Sequence, residues 1–180
     1  MDSGRTFTFE EMVENTNALE SSAEAQRIRA EIRLLRLVAH SPDESVERRV
    51  AAATRAGVLQ TTLARLSVGT LGSRAQGAAQ RAYEDFDYGR VLAATELGAA
   101  HPLLLRLVGQ FVPLLREMDR YRTLGLMMAK LTALRATEAF DELEPRYRAA
   151  ATVEWRALTD TIESWAAVSE AAPAPPSPDR

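Results

Sequence analysis

The stretch that decides the fold is His101-Pro102-LLLRLVGQFVPLLREM, ending at Met118. Proline suits the first turn of a helix, where its missing N–H costs nothing. The residues behind it are apolar around most of the helix circumference. A helix of that kind is buried on all sides, so the spacing predicts the centre of a helical bundle rather than its surface. Pro113 falls inside this helix. It removes one backbone hydrogen bond and presses on the carbonyl of Gly109, which predicts a kink. The kink admits two readings: a wall for a ligand cavity, with Gln110 and Phe111 beside it, or a bend that follows the curvature of the core.

Helix signals continue outward from this segment. Upstream, a helix is predicted from about Ala78 to Leu97, with Gly89 as a weak point. Before it, Ser67 to Gly77 holds three glycines and reads as the loosest interior connection. Ser41-Pro42-Asp43-Glu44 reads as a helix start, with serine capping, proline in the first turn and acids at the positive helix end. That helix is predicted to stop at Gly57, and a short one to follow from Val58 to Leu66. A further helix runs from about Ala23 to Ala39, with Ile28, Ile32, Leu35 and Ala39 as its apolar stripe. Thr8 and Glu11 fit a capping box for a first helix that carries Phe9, Met12, Val13 and Thr16 on one face. Downstream, Leu124 to Ala136 reads as helix. Asp141 and Glu144 are expected to cap a long last one, whose seam is Tyr147, Ala151, Trp155, Leu158, Ile162 and Trp165. No persuasive strand and no repeat occur. The expectation is an all-α, antiparallel bundle of about seven helices in one domain, residues 1–170. Residues 171–180, with four prolines, are expected to form a disordered tail.

Composition narrows the chemistry. The chain has 180 residues, no cysteine, two histidines and a net charge of −3. The missing cysteines exclude disulfides, thiolate nucleophiles and thiolate metal sites together. The charge does not suit a chain that coats nucleic acid or anionic membrane over its whole surface. No run approaches the ~20 apolar residues of a membrane span, and no basic region followed by an apolar run opens the chain, so a cytoplasmic protein is expected. Alanine and arginine abound and Lys130 is the one lysine, a bias of GC-rich bacterial coding.

Neither HxxxH nor HExxH is present, and His40 and His101 lie near different helix ends, where local capping accounts for both. Glu84, Asp85 and Asp87 cluster, but carboxylates without histidine give at best a hard-ion site and more simply a solvated acidic face. No phosphate-binding glycine loop and no nucleophile elbow occur, so no metal and no cofactor are expected. Arg29, Arg33 and Arg36 form one basic stripe, and Arg116 and Arg120 a shorter one; such stripes hold phosphate or pair with neighbouring acids. In VAAATRAGVLQTTLARL, residues 50–66, Ala53, Gly57 and Leu63 occupy the small, turn and apolar positions of a helix-turn-helix. Gln60, Thr61 and Thr62 would lie on its recognition helix. The flanking charge is near neutral, so DNA contact is only weakly indicated beside an ordinary helical corner.

Three motifs of the second half carry a likeness. DYGRVLAATELGAAHPLL (residues 87–104), KLTAL (130–134) with Ala139 and Asp141, and RYRAAATVEW (146–155) together resemble the C-terminal effector domain of FadR-like regulators of the GntR family. The family's metal set does not carry over: Val91 stands four residues after Asp87, where a histidine is expected, and Met127 falls near the next histidine position. The acyl-CoA-responsive branch lacks that set too. Trp155 matches its ligand-region tryptophan, while Ala151 and Arg148 replace its serine and glycine. The winged helix-turn-helix that such regulators place ahead of this domain has no counterpart, which implies a separated effector domain or a stand-alone relative.

The resemblance therefore implies a small-molecule-sensing domain of a transcriptional regulator. It would form a homodimer and bind an apolar, acidic or acyl-type ligand among its last helices. Tyr88, Phe111, Met127, Tyr147 and Trp155 would line the cavity, with Arg116 or Arg148 meeting the ligand's anion. Two alternatives stay open. One is a small isomerase- or cyclase-type enzyme using Asp85, Asp87 and Tyr88 for acid–base chemistry. The other is a dimerising interaction module.

Overall fold

A computed structural model describes residues 23–66, 73–118, 120, 125–127 and 143–170, with side chains described for all of these except 73–75 and 161–170. Every regular element among them is helical: α1 (Ala23–His40), α2 (Val46–Leu66), α3 (Ser73–Glu96), α4 (Pro102–Glu117) and α5 (Pro145–Glu170), with one helical stretch at 125–127. The all-α bundle expected from periodicity is what forms. The expected helix near Thr8–Thr16, most of that at Leu124–Ala136, and the tail from 171 lie outside the described residues.

Contacts between named side chains set the directions. Ala25, Ile28 and Ile32 pack on Leu59 and Leu63, while Ala39 packs on Ala52 and Ala53, so α1 and α2 are antiparallel. Gly57 faces Phe86 and Ala53 faces Gly89, which makes α2 and α3 antiparallel. Gly89 meets Leu107 and Phe86 meets Phe111, so α3 and α4 are antiparallel in turn. His101 with Tyr147 and Arg106 with Glu154 advance together along α4 and α5. Those two helices run in the same sense, as do α2 and α4.

The apolar helix sits at the centre, as its composition predicts. Leu105, Leu107, Phe111, Val112, Leu114 and Leu115 of α4 are buried in the main core with Val50, Phe86, Ala151 and Leu158. Its start follows the predicted chemistry. His101 adopts extended backbone and its Nδ1 accepts the N–H of Leu103 at 3.2 Å, with Pro102 next. Gly98, at φ +91°, closes the C-terminal end of α3, its N–H donating to Ala93 O, in a conformation that favours glycine. In α5 the carbonyl of Glu144 accepts from Tyr147 and Arg148, and Ala151 and Leu158 are buried as the seam requires.

Three boundaries depart from the sequence reading. The helix expected from about Ala78 starts earlier, at Ser73, so α3 takes in the end of the Ser67–Gly77 stretch. The cap of α2 is Ser45, whose hydroxyl accepts from Arg48 N–H at 3.3 Å. Ser41-Pro42-Asp43-Glu44 is instead a turn, closed by Glu44 N–H donating to Ser41 O; proline at its second position fits a turn as well as a helix start. More consequentially, α2 runs unbroken from Val46 to Leu66. Gly57 is not a helix stop but a buried point of approach. A Cβ there would lie 2.8–2.9 Å from three ring atoms of Phe86. Gly89 does the same for α3, where a Cβ would come within 2.8 Å of Leu107 and 3.1 Å of Ala53. The corner that a helix-turn-helix needs at residues 50–66 is therefore absent, and Gln60 and Thr61 are buried rather than presented.

Candidate functional site

On α2, positions three and four apart share a face. One such face, from Ala51 through Val58 to Arg65, is turned towards α4. Because α2 and α4 run in the same sense, their facing rows stay in register, and an open groove follows them. Two adjoining hollows of about 220 and 380 Å³ make it up, sharing Val58 and Gln110. Val58, Leu103, Leu114 and the edge of Phe86 supply its apolar floor, and Ala51 and Gly109 add no bulk. Along α2 the groove extends about 21 Å, from Ala51 to Arg65, at 1.5 Å per residue.

The charged groups of the groove are all of one kind. Arg55, Arg65 and Arg106 line it, and no acid does. Each arginine holds a glutamate: Arg55–Glu31 at 3.3 Å, Arg65–Glu117 at 2.6 Å and Arg106–Glu154 at 2.6 Å. All three guanidinium side chains are more than half exposed, where such pairs contribute only ~0–1 kcal/mol. Thr54, Thr61 and Thr62 donate their hydroxyl protons to carbonyls of their own helix at Val50, Gly57 and Val58. Pro113, which also lines the groove, offers no N–H to the carbonyl of Gly109 one turn back. That carbonyl thus lacks its usual helical partner, between two groove-lining residues.

The residues that sequence reasoning singled out are divided: three share the main core and the others lie apart from it. Phe111 is fully buried, stacked on Phe86 at 5.1 Å and meeting Tyr83 edge-on at 5.3 Å. It fills the core rather than walling an open space. Met127 and Trp155 join the same core cluster, Trp155 only half-buried. Tyr147 sits apart, its ring 4.7 Å from His101 and under the guanidinium of Arg146. Arg148 is exposed and donates to Leu143 O, and Arg116 is exposed on α4. Tyr88 belongs to a different cluster: its hydroxyl donates to Ala39 O at 3.0 Å and accepts from Arg49, and its ring meets His40 at 4.3 Å. None of these seven lines the α2–α4 groove.

The acids suggested for proton transfer are each engaged in structural bonds. Asp85, 8% exposed, receives two hydrogen bonds of 2.8 Å from Arg36, a two-pronged pair that clamps α1 to α3. The Asp85 hydrogen bond also raises the pKa of Arg36. Asp87 holds Arg90, and Glu84 accepts from Gln80. The acidic cluster of the sequence thus splits among three partners. Among the described residues no three His, Asp or Glu side chains converge as metal ligands. His101 is buried, and burial pushes its pKa down, with the charge of Glu47 pulling weakly the other way.

The groove could not be read from the sequence because its lining draws on two helices whose mutual register is set by α3. The usable signal was present in Arg55, Val58, Thr62 and Arg65, which share one helix face once Gly57 is read as a packing residue. No described helix is long and apolar enough to cross a membrane. Comparison of the chain with known protein families, curated proteins and solved structures returns no match, so the FadR-like likeness rests on the three motifs of the C-terminal half alone.

Proposed function

We propose that this chain works by binding, as an effector-type helical module whose working surface is the α2–α4 groove. The groove itself carries this reading: apolar side chains and three arginines share one open surface about 21 Å long. The engagement of Asp85, Asp87 and Tyr88 in helix-to-helix and within-helix bonds supports binding over acid–base catalysis. A photocrosslinker at Gln110, in the groove, tests it in the host cell against one at Thr95, exposed on α3. The expected result is a discrete adduct from position 110 alone. Equal adduct patterns from the two positions would remove the groove as the working surface.

A second reading is the small-molecule sensor of a FadR-like regulator, dimeric and cytoplasmic, with an acyl-type ligand shifting helix packing towards a partner domain. It rests on the three-motif likeness, and three of the residues it uses, Phe111, Met127 and Trp155, share the main core cluster. On this reading decanoate changes the tryptophan fluorescence of the chain, and Trp155→Ala reduces that change. An unaltered affinity in the variant removes Trp155 from the ligand site.

A further inference from the structure

The groove has a shape and a charge that select among partners. Two parallel helices wall it, and the hollow between them accepts an elongated body laid along their axes. Its floor is apolar at Val58, Leu103 and Leu114, and the smallest side chains, Ala51 and Gly109, stand where a bulky one would fill it. Nothing lies within 4 Å of where a Cβ on Gly109 would be, so a partner backbone approaches closely there. Every charged residue in the lining is an arginine, whereas the chain as a whole is net negative. Glu31, Glu117 and Glu154 hold these arginines from outside the groove. Arg65 reaches Glu117 through one nitrogen and Arg55 reaches Glu31 through one. A guanidinium has five N–H donors, so both keep donors for a second carboxylate without releasing the first.

We propose that the groove receives an acidic amphipathic α-helix of a partner protein. This deepens the reading of the groove as the working surface and rests on it. The occupant's apolar stripe, recurring at i, i+3, i+4 and i+7, lies on Val58, Leu103 and Leu114. Its carboxylates meet the arginines on both sides. Arg55 and Arg65 stand about 15 Å apart along α2, so two acids about eleven residues, or three turns, apart on one edge of the incoming helix serve them. One acid on its opposite edge serves Arg106.

The test uses the full chain and a fluorescein-labelled designed helix of about 18 residues, long enough to cover the groove. It carries leucines in the stated stripe and glutamates on both edges, and binding is followed by anisotropy. Micromolar binding is expected, weakened by added salt. It should fall at least tenfold for Arg55→Glu with Arg65→Glu, both exposed positions that leave the core untouched. The double variant should in turn prefer the same helix with lysines for glutamates. A scrambled peptide of the same composition should not bind. Equal binding of the scrambled peptide, or no response to the double charge reversal, overturns the proposal. So does binding of phosphatidylglycerol vesicles with no binding of the peptide. A position-110 crosslink in cells together with failure of the acidic helix leaves the groove as the working surface and refutes only the partner's class. Loss of both removes the two readings together.

Discussion

Gly57→Ala is the substitution in which helix propensity and packing disagree most sharply. In an exposed helix interior, alanine is favoured over glycine by about 1 kcal/mol, and α2 is helical on both sides of position 57. The new methyl, however, meets Phe86 at 2.8–2.9 Å across three ring atoms. The ring is 1% exposed, and its movement is opposed by Phe111, stacked on it at 5.1 Å with 18° between planes. Overpacking of this kind costs about 1–3 kcal/mol, and a disturbed stack a further ~0.5–1.5 kcal/mol. Set against the propensity gain, the net expectation is a loss of about 2 kcal/mol, or a fall in Tm of about 4–8 °C for a chain of this size. Urea unfolding followed by circular dichroism measures it. Because Gly57 has helical backbone, the strain lies in packing, and the discriminating step is a double-mutant cycle with Phe86→Leu, which removes the ring. A favourable coupling of about 1–2 kcal/mol is expected between the two sites. The reasoning is refuted if Gly57→Ala unfolds at or above the wild-type midpoint, or if the coupling lies below about 0.5 kcal/mol.

Two further perturbations probe the clamp and the cap. Arg36→Met leaves the buried Asp85 carboxylate without its two-pronged partner. Arg36 is about a third exposed, so the cost lies between that of a surface pair and a buried one, about 2 kcal/mol. Adding Asp85→Leu should recover much of it, and an Arg36→Met midpoint within about 0.5 kcal/mol of wild type would deny the pair a structural role. For His101, the folded pKa lies below the ordinary 6.5, chiefly through burial, and the neutral Nδ1 is what accepts from Leu103. The unfolded chain therefore binds more protons between the two values, and stability rises with pH across that window. The contribution is complete above about pH 6.5 and is lost as pH falls through the folded pKa. Thermal unfolding at pH 7.5, 6.5, 5.5 and 5.0, values chosen to span about 1.5 units below the ordinary pKa, should show this loss. His101→Asn, which keeps a capping acceptor, should flatten it; identical slopes for the two proteins would contradict the assignment.

What the sequence disclosed, and what it withheld, follows from how far each signal reaches. The apolar band of α4 and the stripe Ile28–Ile32–Leu35–Ala39 are local and periodic, so both elements and their buried faces are legible. His101-Pro102 is equally local, and it caps as it reads. Ser41-Pro42 misleads because proline serves a turn and a helix start alike, and only Ser45, three residues before Arg48, completes the cap. Of the aromatic residues expected to converge, Phe111 and Trp155 share the main core while Tyr88 does not, since Tyr88 and Phe86, two apart on α3, face different neighbours. A common pocket for Tyr88 and Phe111 would have required them to share a face.

Gly57 marks the deeper ambiguity, because glycine in a helical run means either a stop or a close approach. The surrounding residues decide which. Ala52, Ala53 and Ala56 are buried beside it, and on α3 Ala82, Gly89 and Ala93 are buried in turn. Small residues recurring on two helix faces draw the backbones together, and Phe86 and Leu107 fill the space the missing methyls leave. The same closeness produces the groove. With α1 and α3 covering two sides of α2, its third side, from Ala51 to Arg65, is left to α4, where Gly109 and Pro113 leave the space beside the floor unfilled. Replacing Gly109 by leucine would therefore place a side chain in open space, at a helix position where leucine is favoured over glycine. The bundle should be as stable as before or more so, while the acidic helix is excluded. Retained peptide binding in a stable Gly109→Leu protein would mean that the occupant does not lie where the smallest residue leaves room for it.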